Sequence, residues 1–199
     1  MSEYQIKPGD IIFTSKKGPI SWSLRFFLGP TPYSHLCIGG EPIDGEPTVY
    51  TTGIGGGPDI NAPKNFSLKP PTNYRRLYAK VYLANKRFVI CRYTADGRIG
   101  LSDKQTEAIM DWAHSQMGHK FPFKKTLRYF RLLFKAHGIK QVKARGQDHL
   151  YTCYQAVVLA YEAAGIKLNP RAGRIDSSGY DLKEIYLSPY LTDIYNSQE

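Results

Sequence analysis

The sequence contains a cysteine and a histidine whose surroundings are typical of a thiol nucleophile and its base. Cys153 lies near the start of an alanine-rich apolar run, residues 151–165, that predicts one helix ending at a glycine. Backbone N–H groups and the positive end of the helix dipole favour a thiolate at such a position. His35 lies in residues 33–39, which predict a β-strand. If the helix packs on this strand, the two side chains would form a nucleophile and a general base.

Each of these residues also has a plainer interpretation. A free cysteine is more often a small core residue than a nucleophile, and a histidine on a strand is often a hydrogen-bonded core residue. Cys37 follows His35 by two positions, and same-face neighbours on a strand are roughly 6.5–7 Å apart at their backbones. We therefore interpret Cys37 and Cys91 as core residues. Three cysteines without ligand spacing predict neither a disulfide framework nor a metal site, and we expect no cofactor.

The remaining segments predict a sheet with few helices. Strands are expected near residues 11–13, 33–39, 47–52, 75–83 and 87–93, and a hairpin turn at Asp44-Gly45 joins the second to the third. Ser102 is the expected N-cap of a helix at residues 103–117. The tyrosine-rich tail after residue 165 is expected to form loops and short turns.

The length and composition indicate one globular domain over residues 1–199. Hydrophobic residues make up 42% and charged residues 22% of the 199, which is ordinary for a protein with a buried core. No stretch approaches the roughly 18 apolar residues of a membrane span. The first ten residues lack the pattern of a secretory signal, so the expected location is cytoplasmic.

The net charge of +10 is concentrated in one segment, an expected basic helical insertion at about residues 120–146. Residues 120–145 include nine basic side chains and no Asp or Glu: Lys120, Lys124, Lys125, Arg128, Arg131, Lys135, Lys140, Lys143 and Arg145. The simplest interpretation is a solvated helix packed on the domain. Alternatively, Lys124, Lys125, Arg128 and Arg131 would bind an anionic polymer or a membrane surface. Nucleic acid is not an expected partner, because base-stacking and helix-turn-helix motifs are absent.

Five motifs follow one another in the order of a known family. The chain resembles the circularly permuted papain-like branch of the NlpC/P60 superfamily, the YiiX-like group. The similar segments are Pro8-Gly-Asp-Ile-Ile-Phe13, Ser34-His-Leu-Cys-Ile-Gly39, Val49-Tyr-Thr-Thr-Gly53, the segment from Leu101 to Gly118, and Tyr151-Thr-Cys153 with residues 157–161. Histidine precedes cysteine here, whereas unpermuted members place cysteine first.

The resemblance implies an α+β fold in which an antiparallel sheet packs on the nucleophile-bearing helix. It implies that Cys153 is the nucleophile and His35 the general base of a cysteine hydrolase, with Tyr151 and the Cys153 N–H as oxyanion donors. The implied substrates are cell-wall peptides or acylated lipids. Two alternatives stay open: a lipid acyltransferase or thioesterase of the same fold, similar to the lecithin:retinol acyltransferase-like proteins, and a non-catalytic binding module.

The third catalytic position departs from the family pattern. Relatives often place a polar or acidic residue on the next strand, where this chain has Tyr50, Thr51 and Thr52. Strand alternation puts Tyr50 and Thr52 on one face and Thr51 on the other, so both faces stay open. Asp44 and Glu46 precede the strand. A hydroxyl orients an imidazole but does not stabilise an imidazolium as a carboxylate does, and a backbone carbonyl is a further alternative.

Overall fold

The fold is taken from a computed structural model of the chain. The structure describes residues 5–15, 32–52, 74–118, 153–168 and 182–197. The expected basic insertion at about residues 120–146 and the candidate Tyr151 lie outside the described residues. Both therefore stay predictions.

An antiparallel sheet forms the centre of the described part. Its strands are β1 (Ile11–Ser15), β2 (His35–Ile43), β3 (Glu46–Thr51), β4 (Arg75–Tyr78), β5 (Arg87–Ala95), β6 (Arg98–Ile99) and β7 (Leu191–Asn196). The strand order is β4-β3-β2-β1-β5, and β7 and β6 pair with successive parts of β5. The α+β fold with an antiparallel sheet is thus confirmed.

The two faces of the sheet carry different helices because side chains alternate along β2. Leu36 and Ile38 belong to a cluster covered by α2 (Asp103–Ser115) and α3 (Cys153–Ala163). We call this side the α3 face. Cys37 belongs to a second cluster, which includes buried residues of the short helix α1 (Ala79–Leu83). We call this side the α1 face.

Local sequence signals correctly placed several element ends. Asp44 and Gly45 join β2 to β3 with positive φ angles of 52° and 80°, as a two-residue hairpin turn requires. Ser102 caps α2, since its hydroxyl accepts from the Gln105 N–H while the Gln105 side chain accepts from the Ser102 N–H. The described residues of the apolar run form α3 from Cys153 to Ala163, as predicted.

The expected strand over residues 75–83 is wrong in its second half. The strand ends at Tyr78, and residues 79–83 form α1. Ala79, Tyr82 and Leu83 are buried there, at spacings of three and four. Those spacings place them on one side of a helix, whereas the aromatic and branched residues around them had suggested a strand.

The expected loops of the tail are also wrong in part. The tail contains α4 (Leu182–Tyr186) and β7, which pairs with β5. No residue of β7 is fully buried, so its sequence carries little of the alternation that marks a strand. Its position depends on backbone pairing with a segment about a hundred residues away.

An ion pair holds the segment that leads into β1. Arg92 donates from Nε and Nη2 to the two carboxylate oxygens of Asp10, each at 2.8 Å, and Asp10 is only 3% exposed. Asp10 also accepts from the backbone N–H of Lys7. The Pro-Gly-Asp turn is therefore fixed to β5, which aligns β1 and the neighbouring β2.

Candidate active site

The thiol of Cys153 lies at the first residue of α3, surrounded by backbone donors. N–H groups of Leu36, of Tyr154 and of Cys153 itself form hydrogen bonds that lower its pKa. A backbone group that lowers the pKa of a thiol must donate to the thiolate, so all three act as donors. Burial has the larger, opposite effect and raises the pKa of Cys153 to about 11. At neutral pH the resting thiol is protonated.

The imidazole of His35 lies at the first residue of β2 and is anchored to β3. Its Nε2 atom is 2.8 Å from the hydroxyl oxygen of Thr51. Burial, and secondarily the positive charge of Lys86, lower the pKa of His35 to about 3. The resting imidazole is therefore neutral, which is the state that a general base needs.

The two predicted catalytic residues approach the start of β2 from different sides. His35 contacts Thr51 and lies near the ring of Tyr82, at 6.5 Å between centroids, on the α1 face. Cys153 packs with the cluster on the α3 face. The hydrogen bond from the Leu36 N–H places the Cys153 sulfur beside the residue that follows His35. Within the described part of the chain, no hydrogen bond joins the sulfur to the imidazole.

The two candidates for the third position separate onto the two faces. Thr51 faces the α1 side and contacts His35. Tyr50 faces the α3 side, where its hydroxyl lies 3.1 Å from a carboxylate oxygen of Glu41 and its ring meets His114 edge-on. Burial raises the pKa of Tyr50 above its usual range. The structure therefore brings Thr51, and not Tyr50, to His35.

Further polar residues lie beside His35 that the sequence did not indicate. Thr51 is also in contact with Cys37 and Tyr82, and the ammonium of Lys86 lies 3.1 Å from the centre of the Tyr82 ring. Cys37 could have been found, because it shares a strand face with His35. Tyr82 could not have been found, because the sequence predicted a strand at residues 75–83, and only the helix α1 places this side chain beside Thr51.

The described residues contain neither a metal-binding cluster nor a membrane-spanning helix. No group of three or more His, Cys, Asp or Glu side chains in residues 5–15, 32–52, 74–118, 153–168 and 182–197 is arranged to hold a metal ion. No helix among these residues is long and apolar enough to cross a membrane. The basic residues Lys124, Lys125, Arg128 and Arg131 lie outside the described part.

The described elements define an α+β fold of the YiiX-like kind. The chain is similar to the crystal structure of the metalloprotein yiiX from Escherichia coli O157:H7 (DUF1105), with a TM-score of 0.59 and 16% sequence identity. The match covers 97% of this chain and 98% of that one. The resemblance to the YiiX-like group is thereby confirmed at the level of the fold. No family model and no curated protein matches the sequence.

Proposed function

We propose that the protein is a cysteine hydrolase that cleaves an amide or ester bond through a thiol acyl-enzyme, on a circularly permuted papain-like NlpC/P60 core. One observation carries the proposal. The Cys153 sulfur lies at a helix start among three backbone donors, one of which belongs to the residue next to His35. The nucleophile and its backbone donors are thus beside the strand that carries the proposed proton acceptor, although the two side chains lie on different faces of the sheet.

In the proposed reaction, His35 takes the thiol proton as the sulfur attacks the substrate carbonyl carbon. The backbone N–H groups hold the developing oxyanion, and the leaving amine or alcohol takes the proton back from His35. Water then attacks the thioester with His35 again as the base, which releases the acid and the free thiol. The Nδ1 atom of His35 is the proton acceptor, because Nε2 is bound to Thr51.

The proposed step needs a rearrangement from the resting geometry. A neutral thiol with a pKa of about 11 does not transfer its proton spontaneously to an imidazole with a pKa of about 3. Substrate binding must therefore bring the sulfur and Nδ1 into hydrogen-bond contact. The similar Escherichia coli structure is that of a metalloprotein. In this chain, the described residues contain no group of three or more His, Cys, Asp or Glu arranged to hold a metal ion, and the proposed steps use none.

Hydrolysis of an activated ester tests the proposal. Turnover of p-nitrophenyl acetate, with acylated Cys153 detected by peptide mass spectrometry, is expected for the wild type and lost in Cys153→Ala. Cys91→Ala is the matched control, because Cys91 is a second free cysteine, which is buried and donates to Asp193 at 3.0 Å on another strand pair. Equal turnover in wild type and Cys153→Ala would reject the hydrolase.

The second candidate is a non-catalytic binding module. It is favoured by the raised pKa of Cys153, the lowered pKa of His35 and their approach to β2 from different faces. For this candidate, Cys153 reacts with iodoacetamide no faster than expected for a buried thiol, and no acyl-enzyme forms with any ester.

The substrate class is proposed from the charge distribution of the chain. A net charge of +10, concentrated in the basic insertion, suits an anionic wall polymer or a membrane surface. Turnover of muropeptides against that of phospholipid vesicles separates cell-wall peptides from lipids, and acyl transfer to an added amine or alcohol identifies an acyltransferase.

Loss of vesicle binding after Lys124, Lys125, Arg128 and Arg131 are changed to Gln supports the membrane surface; unchanged binding excludes it.

A further inference from the structure

The hydroxyl of Thr51 contacts several polar groups on the α1 face. Its oxygen lies 2.8 Å from Nε2 of His35, 3.6 Å from the sulfur of Cys37 and 3.4 Å from the hydroxyl of Tyr82. It also lies 3.3 Å from the carbonyl oxygen of Thr52. Cys37 and Thr51 are paired across β2 and β3, so the two side chains share one face. Thr51 is 2% and Cys37 1% exposed, so water does not replace these contacts.

The number of hydrogens that each group can donate limits the possible directions of these hydrogen bonds. A threonine hydroxyl has one hydrogen to donate and two lone pairs that accept. The Cys37 thiol donates to Thr51, and Thr51 donates to Tyr82 or to the Thr52 carbonyl. Tyr82 is also hydrogen-bonded to Cys37, which closes the set of contacts around Thr51. If its only hydrogen is used in this way, Thr51 accepts from His35, and Nε2 carries the proton.

We propose that Cys37 and Tyr82 are positioning residues that act through Thr51 to hold His35 as its Nε2–H tautomer. The lone pair then stays on Nδ1, the atom that accepts the thiol proton in the proposed function, on which this inference rests. The opposite tautomer would require Thr51 to give its one hydrogen to Nε2. Thr51 would then have no hydrogen left to donate to the Tyr82 hydroxyl or to the Thr52 carbonyl.

The surroundings of Tyr82 make this arrangement rigid. The Lys86 ammonium lies 3.1 Å from the centre of the Tyr82 ring, which stabilises the ring through a cation–π contact. The Tyr82 side chain is 4% exposed and comes from α1, which packs on β3 and β4. The charge of Lys86 also disfavours an imidazolium at His35. The imidazole is therefore neutral over the physiological pH range, and its tautomer is a defined property.

Long-range 1H–15N correlation NMR of the imidazole nitrogens measures the tautomer directly. The His35 signals are assigned by their loss in His35→Gln. In the wild type near neutral pH, we expect one protonated nitrogen, Nε2, and a non-protonated Nδ1. In Tyr82→Phe and in Cys37→Ala, we expect the two nitrogen shifts to move toward each other as the second tautomer becomes populated. Cys37→Ser keeps a donor and is expected to restore the wild-type shifts.

Two control variants separate positioning from general destabilisation. Tyr161→Phe removes a buried hydroxyl that donates to the Gly9 carbonyl, and Cys91→Ala removes a buried thiol, both away from His35. Both are expected to leave the His35 shifts unchanged. A wild-type Nδ1–H tautomer, or shifts unaffected by both Tyr82→Phe and Cys37→Ala, would overturn the inference. This readout does not use Cys153, so an inert thiol with an Nε2–H imidazole would reject the hydrolase and leave the positioning residues in place.

Discussion

The Nε2 atom of His35 lies 2.8 Å from the hydroxyl oxygen of Thr51, which ties the first residue of β2 to the last residue of β3. The partner is neutral, so it orients the imidazole but stabilises an imidazolium less than a carboxylate would. Beside this pair, the backbone of Leu36 is hydrogen-bonded to Cys153, which packs with the cluster on the α3 face. The start of β2 therefore carries His35 and contacts Cys153, the two residues that the proposed reaction needs.

Loss of the Thr51 hydroxyl is expected to slow acylation of Cys153. Thr51→Val removes the anchor of His35, and we expect acylation to fall about tenfold, the effect of one hydrogen bond to a group that becomes charged. Thr48→Val is the matched control, because Thr48 is a buried threonine of the same strand that donates to the Glu41 carbonyl instead. Equal rates in the two variants would remove Thr51 from the site.

The lowered pKa of His35 predicts a loss of stability in acid. The pKa is about 3 in the folded protein and 6.5 in a free side chain. Between these pH values the unfolded chain binds a proton that the folded chain does not, so stability falls as the pH is lowered through this window. The contribution is at most about 1.4 kcal/mol per pH unit. Urea unfolding should show a shallower pH dependence for His35→Gln; identical slopes would contradict the buried neutral imidazole.

Breaking the Asp10–Arg92 pair is expected to destabilise the fold strongly. Arg92→Ala leaves the carboxylate of Asp10 buried without its bidentate partner, and we expect a loss of about 3 kcal/mol in the free energy of unfolding. Arg98→Ala, on the exposed strand β6, should change it by less than about 0.5 kcal/mol. Chemical denaturation of both variants decides whether the pair holds the turn.

Gly39 is expected to tolerate no side chain. A Cβ at this position would lie 2.4 Å from the Lys7 carbonyl oxygen, and backbone does not move aside as the end of a side chain does. Gly39→Ala should therefore lower the free energy of unfolding by more than about 2 kcal/mol. At Gly97, with φ of +73° and open space around it, Ala should cost only about 1 kcal/mol. Similar losses at both positions would argue against the close approach.

The elements predicted from sequence were those with strong local signals. The Asp44-Gly45 turn, the Ser102 cap and the helix α3 in its apolar run depend on neighbouring residues. By contrast, α1 is five residues long, and its helical form depends on Tyr82 and Leu83 packing against the sheet. The β7 strand depends on pairing with a distant strand. Tertiary contacts of this kind leave no periodic pattern in a short segment.

The site was predicted only in part for a similar reason. The sequence of β3 offered candidate partners for His35 on both of its faces, Tyr50 on one and Thr51 on the other. The register of β2 with β3 decides between them, because it brings Thr51 to His35. Cys37 could be placed on the face of His35 by counting. The contact of Tyr82 with Thr51 depends on α1 being a helix, which the sequence pattern did not predict. The polar cluster around Thr51 therefore could not be predicted from the sequence.

The rate of Cys153 acylation by p-nitrophenyl acetate, resolved by peptide mass spectrometry, tests the central claim most directly when wild type and His35→Gln are compared near neutral pH. A general base contributes about a hundredfold or more. The account predicts that His35→Gln is acylated at least about a hundredfold more slowly, while its circular dichroism spectrum is unchanged. Equal acylation rates in the two folded proteins would contradict the claim that His35 activates Cys153.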